Sequence, residues 1–253
     1  MGKKKAHIGR FHFKEEGIMK KALVLALTAT MIMSTMAFAE EVAVMSHEEF
    51  MAAAVDDEVA IETYVQAVRD FGDGVATVYA QSEDGAYFIY EAACTEEDYA
   101  KLTEGAAIKV TGYKAEWAGE IEVMDGTIEV LEADPYVAEE LDMTDLLGTD
   151  ELADHQNEKF VMKGLTVEAA GEDGAAFLYN WDGSGEEGND LYFNLSKDGE
   201  TYSFCLRVDL CGADSEVYET VKGLNVGDTV DVTGFMYWYE GPNPHVTGVT
   251  VAE

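Results

Sequence analysis

LNVGDTVDVTGFMYWYE, at residues 224–240, repeats the pattern of an earlier stretch, LTEGAAIKVTGY, at residues 102–113. In each copy a loop ends in glycine, and apolar residues such as Val230 and Val232 then alternate with polar ones. This alternation is typical of a strand with one buried face. Thr-Gly follows in both copies, and a glycine inside a strand indicates a bulge or the coiling that bends a strand around a small barrel. The repeat therefore predicts two copies of one small β barrel.

A second match supports the duplication. EDGAAFLY at residues 172–179 agrees with EDGAYFIY at residues 83–90 in six of eight positions. Between this match and the stretch at 224–240, the second copy is longer than the first by 33 residues. The extra length contains an acidic loop, WDGSGEEGND at 181–190, and alternating segments that flank Lys197-Asp198-Gly199, a turn signal. We predict an inserted hairpin there.

The first 39 residues have the features of a leader. Met19-Lys20-Lys21 precedes an apolar run at 22–33, and Ala37-Phe38-Ala39 has the small-x-small form of a signal-peptidase site. We expect translation to begin at Met19, cleavage after Ala39, and a secreted or cell-envelope product; an uncleaved anchor is the alternative. The predicted organisation is a leader at 1–39, a first barrel at 40–133, a linker with a short helix at 134–157, and a second barrel at 158–253.

Composition favours a folded, very acidic chain. The 253 residues carry a formal net charge of −35, and 47% of them are hydrophobic and 11% aromatic, which is enough apolar surface to build cores. The leader holds seven of the 16 basic residues and two of the 51 acidic ones, so the remainder is more acidic still. Contacts with a nucleic-acid backbone need lysine and arginine. From the charge we therefore expect nucleic acid to be an unlikely partner.

Two short helices are predicted from their first residues. Ser46 and Glu49 form a capping box before Phe50, and Thr95 precedes a run of carboxylates that suits the positive end of a helix. The second lies between the predicted third and fourth strands of the first copy. A further helix, at 214–221, is expected at the corresponding place in the second copy.

This order of elements resembles the OB-fold, a five-stranded Greek-key barrel with a helix between its third and fourth strands. The positions that carry the resemblance are Leu102, Gly105, Val110 and Gly112, matched by Leu224, Gly227, Val232 and Gly234. The predicted fold class is all-β with short helices, as two tandem five-stranded OB-like barrels, the second with an inserted hairpin. The chain also resembles exported tandem OB-like proteins of Gram-positive anaerobic bacteria, a resemblance that carries over no activity.

The resemblance implies a ligand surface. OB-folds bind ligands on the face of strands 2 and 3 and with the loops that join strands 1 to 2 and 4 to 5. Aromatic side chains there could stack on sugars or bases. Core or inter-domain packing is the alternative role for about half of them or more. The candidate ligand-binding residues are Tyr79, Tyr87, Trp117, Tyr179, Trp181, Tyr192, Tyr237, Tyr239 and His245.

The acidic loop is the candidate metal site. Its carboxylates are Asp182, Glu186, Glu187 and Asp190. Extracellular modules bind calcium weakly through such oxygens, but the spacing does not fit an EF-hand. A solvated loop is the alternative, and apart from weak calcium binding we expect no cofactor.

Catalytic signals are sparse. The histidines after the leader (His47, His155 and His245) lie in no recognisable nucleophile or metal motif. The chain has three cysteines (Cys94, Cys205 and Cys211) and no CxxC motif. Their odd number does not decide whether two of them form a disulfide. We therefore expect no enzyme but an exported binding or adaptor protein, with a carbohydrate, cation or protein ligand from outside the cell or from the envelope. An OB-fold nucleic-acid binder and a secreted hydrolase are the alternatives.

Overall fold

A computed structural model of the protein describes residues 42–69 and 71–252. The described residues belong to one structural unit, Glu41–Glu253. The predicted leader and its cleavage site after Ala39 lie outside the described residues. Among the described helices, none has the length and apolar character needed to cross a membrane.

The first half of the chain forms barrel 1. Its elements are β1 (Val44–Met45), α1 (His47–Ala52), β2 (Glu58–Val68), β3 (Val75–Ser82), β4 (Gly85–Ala93), α2 (Glu96–Tyr99), β5 (Ala107–Trp117) and β6 (Glu120–Val130). The strands lie in the order β1-β2-β3-β4-β6-β5, and β2 also pairs with β5, which closes five strands into a barrel. The predicted capping box at Ser46 and Glu49 is present, and Thr95 caps α2.

The second half forms barrel 2. Its elements are β7 (Leu141–Asp142), a 3₁₀ helix (Asp150–His155), β8 (Lys159–Glu168), β9 (Phe177–Tyr179), β10 (Leu191–Lys197), β11 (Glu200–Leu206), α3 (Val208–Cys211), α4 (Glu216–Lys222), β12 (Thr229–Phe235) and β13 (His245–Val251). The order is β7-β8-β12-β13-β11-β10-β9, and β8 pairs with β10 to close the barrel. In both barrels the first strand pairs with the second and the fourth, and the fifth lies between the fourth and the third. This is the OB order, and it confirms the predicted fold class.

The predicted hairpin is present, but it has a different place in the barrel from the one expected. It consists of β10 and β11, which pair from Leu191–Leu206 to Lys197–Glu200 and supply strands 2 and 3 of barrel 2. The inserted material is instead the segment between β8 and β10, which contains the short strand β9. EDGAYFIY runs into β4 in barrel 1, whereas EDGAAFLY lies in this connecting segment. The sequence match therefore does not mark equivalent strands.

Gly112 and Gly234 occupy equivalent bulges. The β5–β6 pairing shifts register between Thr111 and Tyr113, and the β12–β13 pairing shifts between Thr233 and Gly234. A Cβ on Gly112 would lie 2.8 Å from the Met124 carbonyl oxygen, and a Cβ on Gly234 would overlap the His245 carbonyl oxygen. The predicted bulges are therefore present, and the glycines of the repeated Thr-Gly also let two backbones approach closely.

We expect Gly234→Ala to lower the free energy of unfolding by about 1–3 kcal/mol, the usual cost of overpacking. Gly72→Ala is the matched control, because a Cβ there meets nothing within 4 Å. Urea denaturation of both variants measures the difference. An equal effect at the two positions would show that the close approach at Gly234 is not what the glycine serves.

Candidate functional site

A cleft of about 780 Å³ lies between the barrels and is the candidate functional site. We call it the inter-barrel cleft. Its volume falls in the range of small-molecule sites. The lining residues are Arg69, Phe88, Tyr90, Trp117, Ala170, Leu178, Trp181, Tyr192, Asn194, Ser203, Arg207, Tyr237, Tyr239, Glu240, Gly241, Pro242, Asn243 and His245.

Barrel 2 supplies most of the lining, from its strand 2–3 face and from two connecting segments. On β10, Leu191 and Phe193 are buried in the core of barrel 2, so Tyr192 and Asn194 project from the opposite side of the strand. Ser203 on β11 lines the same surface. The β8–β10 segment adds Trp181, and the β12–β13 segment adds Tyr237 and residues 239–243. These parts correspond to the surface that OB-folds use for ligands.

Barrel 1 supplies the facing wall. Tyr87 and Ile89 point into the core of barrel 1, which leaves Phe88 and Tyr90 on the outer side of β4. Trp117 ends β5 and is 62% exposed. Because Phe88 packs with Tyr79 of β3 and Phe235 of β12 in a separate cluster, the wall is attached to barrel 2 by an apolar core of its own.

Two arginines, one from each barrel, pair with the same carboxylate. Arg69 Nε donates to Asp209 Oδ2 at 2.8 Å, and Arg207 Nη2 lies 3.3 Å from the same oxygen. Arg207 also pairs with Asp190 at 3.1 Å. Burial alone would lower the pKa of Arg207 and raise that of Asp209, but the ion pairs outweigh burial in both. The network therefore stays ionised and holds both guanidinium groups at the cleft.

His245 is held neutral beside these arginines. Burial lowers its pKa well below the ordinary value, and Arg207 and Arg69 lower it further. Its Nδ1 lies 2.6 Å from the Tyr79 hydroxyl, and its ring stacks on Tyr237 with centroids 4.2 Å apart and planes 12° apart. The stack places the Tyr237 ring, backed by His245, at the cleft.

The β12–β13 segment is fixed to barrel 1 by polar contacts. Glu240 N–H donates to the Ala118 carbonyl at 2.7 Å, and Trp238 N–H donates to Glu120 Oε2 at 2.8 Å. Glu120 is fully buried, and burial raises its pKa to about 8 despite hydrogen bonds from Asn157 and Trp238. Among the described residues, Glu120 Oε1 and Asn157 Oδ1 are the buried side-chain atoms that lack a hydrogen-bond partner.

Three aromatic side chains at the cleft are largely exposed. Trp181 is 76% exposed, Trp117 62% and Tyr239 51%. Trp117 ends β5, Trp181 lies in the β8–β10 segment and Tyr239 lies in the β12–β13 segment. Exposed aromatic faces beside hydrogen-bonding groups such as Asn194 and Asn243 suit a ligand that has flat ring faces and a polar edge.

The structure places six of the nine predicted ligand-binding residues in the cleft: Trp117, Trp181, Tyr192, Tyr237, Tyr239 and His245. Tyr87 instead packs in the core of barrel 1 against Phe50, with ring centroids 5.2 Å apart. Tyr79 is buried between the barrels. Tyr179 packs against the core of barrel 2, because its neighbour Leu178 takes the cleft side of β9.

Five residues that line the cleft are absent from the sequence-based prediction: Arg69, Arg207, Phe88, Tyr90 and Asn194. A signal was present for some of them. Phe88 and Tyr90 have the opposite parity to the core residues Tyr87 and Ile89, and the two arginines are rare cations in a very acidic chain. What brings the arginines together is a contact across the barrels, which no local pattern encodes.

The four carboxylates of the predicted calcium loop do not gather into a site. Asp190 pairs with Arg207, Glu187 pairs with Lys222 at 2.6 Å, and Asp182 accepts from the Ser184 backbone at 3.0 Å. Across residues 42–69 and 71–252, no group of three or more His, Cys, Asp or Glu side chains is placed to hold a metal ion. Asp190 and Glu187 are turned toward basic partners, so the structure does not bring the four predicted carboxylates together.

The cysteines Cys94, Cys205 and Cys211 are free. Burial raises the pKa of Cys205 and of Cys211 to about 12. Both thiols are therefore protonated at neutral pH and are poor nucleophiles.

No family model and no curated protein matches the sequence. Solved structures do match in fold. A murine DNA-binding protein bound to double-stranded DNA is 12% identical, with a TM-score of 0.33 over 78% of this chain and 99% of that one. The tetrameric p202 HIN2 domain is 10% identical, with a TM-score of 0.32 over 79% and 96%. A replication protein A heterotrimer bound to single-stranded DNA is 12% identical, with a TM-score of 0.30 over 78% and 49%.

One expectation is corrected by this comparison. Nucleic acid was set aside as a partner because the chain is strongly acidic. The structures that are similar in fold include complexes with double-stranded DNA and with single-stranded DNA. At these TM-scores the likeness concerns the fold alone, so the ligand of this chain has to be argued from its own cleft.

Proposed function

We propose that this protein acts by binding, and that the inter-barrel cleft takes a short single-stranded oligonucleotide. The observation that carries the proposal is the position of the cleft on the strand 2–3 face of barrel 2, between its β8–β10 and β12–β13 segments. That face of an OB barrel binds oligonucleotides and oligosaccharides. The proposal replaces the adaptor role that the sequence analysis expected.

Base stacking is the main source of affinity in this proposal. Each base stacked on an aromatic side chain contributes about 1–3 kcal/mol by alanine substitution, with little dependence on sequence. Trp117, Trp181 and Tyr239 present exposed faces, and Tyr192 and Tyr237 line the cleft beside them. Two or three stacked bases are thus enough for a measurable dissociation constant.

The arginine pair limits the electrostatic contribution. Arg69 and Arg207 line the cleft, and each already pairs with Asp209. For single strands, the logarithm of the binding constant falls with the logarithm of salt concentration by about 0.7 per phosphate contacted. One or two contacts predict a slope of about −0.7 to −1.4, much shallower than that of a protein with a basic groove.

The test is a tryptophan-fluorescence titration of the full chain with octathymidylate at several salt concentrations. Trp117 and Trp181, two of the three tryptophans, line the cleft. We expect a signal change with the shallow slope above, and about tenfold weaker binding for Trp181→Ala, which corresponds to one stacked base. Tyr113→Ala, an exposed aromatic outside the cleft, is the control and should bind normally. Absence of binding, or equal losses in both variants, would contradict the proposal.

An oligosaccharide is the second candidate ligand. It is favoured by the combination of highly exposed tryptophans with the neutral polar groups of Asn194, Ser203 and Asn243 on the same cleft. Aromatic faces and amide or hydroxyl groups suit sugar rings and their hydroxyls. A neutral saccharide such as cellohexaose would bind with no salt dependence, so the same titration separates the two ligand classes.

A further inference from the structure

We infer that the protein has one composite ligand site per chain, in which barrel 1 supplies ligand contacts to the site of barrel 2 and holds no second ligand of its own. The inference rests on the proposed function for the location of the site. It adds the number of ligands and the role of the first barrel, which tandem duplication alone would not predict.

The strand 2–3 face of barrel 1 is already occupied. Its outward residues Tyr79 and Phe88 are 0% and 1% exposed, because they pack against Phe235 of barrel 2. The rings of Tyr79 and Phe235 stack with centroids 4.5 Å apart. The hydrogen bond between Tyr79 and His245 closes the same face. A ligand could reach this face only by separating the barrels.

Other residues of barrel 1 remain accessible and line the inter-barrel cleft. Tyr90, two residues beyond Phe88 on β4, lines it, as do Trp117 and Arg69. The Ala118–Gly119 turn that follows Trp117 touches the β12–β13 segment, since Glu240 donates to Ala118 and a Cβ on Gly119 would lie 2.9 Å from Trp238 Cδ1. Trp117 is therefore held at the mouth of the barrel 2 site.

In this geometry, Trp117 of barrel 1 and Trp181 of barrel 2 contact the same ligand. If each barrel had its own site, a change in Trp117 would affect only the first site and a change in Trp181 only the second. In a composite site, both changes weaken one binding event. The two arrangements thus differ in stoichiometry and in the pattern of variant effects.

The experiment is isothermal titration of the full chain with octathymidylate and, separately, with cellohexaose. We expect one ligand per chain, with about tenfold weaker binding in Trp117→Ala and in Trp181→Ala at unchanged stoichiometry. Tyr113→Ala, on the same strand as Trp117, should bind as the parent does. Two binding events, one of them lost in Trp117→Ala, would overturn the inference while leaving the proposed function intact.

A second measurement tests the inference even if neither probe binds. Absence of binding would contradict the proposed function alone. Nitration of the native protein by tetranitromethane, followed by peptide mass spectrometry, reports which tyrosines are accessible. We expect Tyr239 to react and Tyr79 to react only after unfolding. Reaction of Tyr79 at the rate of Tyr239 would show that the barrel 1 face is open and would overturn the single composite site.

Discussion

Glu120→Gln should stabilise the protein at pH 9 by on the order of 5 kcal/mol and leave its stability at pH 4 nearly unchanged. Burial raises the pKa of Glu120 from 4.5 to about 8, so the folded state holds a proton there that the unfolded state releases. The stabilising contribution of this proton is fully present below about pH 4.5. It is lost as the pH rises toward 8, because stability falls wherever the folded state binds more protons.

The local contacts explain why glutamine fits. A glutamine oxygen can still accept the Trp238 N–H, as Glu120 Oε2 does at 2.8 Å. Its amide group adds a donor beside Asn157, whose Oδ1 is buried without a partner. Protonated Glu120 and glutamine therefore both offer a donor and an acceptor, whereas the ionised carboxylate offers acceptors alone.

Urea denaturation at pH 4, 6, 8 and 9 measures the effect, with Glu129→Gln, on the exposed part of the same strand, as the control. Each variant removes one carboxylate, so the repulsion among the remaining carboxylates is the same in both. Glu122 keeps some pH dependence in Glu120→Gln, because burial raises its pKa to about 7. Parallel stability curves for Glu120→Gln and the parent would show that Glu120 is not protonated in the folded state.

Phe235→Ala should lower the free energy of unfolding by about 3–5 kcal/mol, the cost of removing a buried phenylalanine from a packed core. Phe235 is 3% exposed and forms the inter-barrel cluster with Tyr79 and Phe88. The variant removes an aromatic surface shared by both barrels, while the two barrel cores keep their own apolar residues. We therefore also expect its denaturation transition to broaden as the barrels unfold less cooperatively.

The matched variant is Phe235→Leu, which keeps most of the volume and should cost less than about 1.5 kcal/mol. Denaturation followed by circular dichroism gives both the midpoint and the slope. A loss below 1 kcal/mol for Phe235→Ala would mean that the barrels are not joined by this cluster. The composite site would then lack the fixed wall on which it depends.

Much of the architecture is encoded locally. The alternation around Val230 and Val232 predicts a strand with one buried face, and both residues are buried in barrel 2. The Thr-Gly repeat predicts the bulges at Gly112 and Gly234, since only glycine permits the close backbone approach. These features depend on residues that are near each other in sequence or are repeated, so one sequence suffices.

The segments EDGAYFIY and EDGAAFLY show that similar short sequences do not always form equivalent strands. EDGAYFIY pairs with two neighbouring strands in barrel 1, but EDGAAFLY has only three residues in a strand, β9, which pairs with β10 alone. Strands 2 and 3 of barrel 2 come from the later β10–β11 hairpin. Short similar segments adopt different structures when different neighbours surround them, because strand preference depends on tertiary packing.

The site was predictable to the extent that it follows strand parity and loop position. Trp181, Tyr192 and Tyr239 follow from the OB arrangement. Tyr87 could have been excluded by its parity with Ile89 in the same strand. Tyr79 has the outward parity expected of a ligand contact, yet barrel 2 covers it. Likewise, Arg69 and Asp209 are 140 residues apart, and nothing near either residue indicates the pair.

Photocross-linking tests the central claim, that the ligand lies in the inter-barrel cleft, most directly. An octamer that carries 5-iododeoxyuridine, bound to the full chain and irradiated, forms bonds to aromatic side chains in contact with the base. Peptide mass spectrometry should find the cross-links on Trp117, Trp181, Tyr192 or Tyr239, with unmodified octathymidylate as competitor. Cross-links confined to aromatic residues outside the cleft, such as Tyr113, would contradict it.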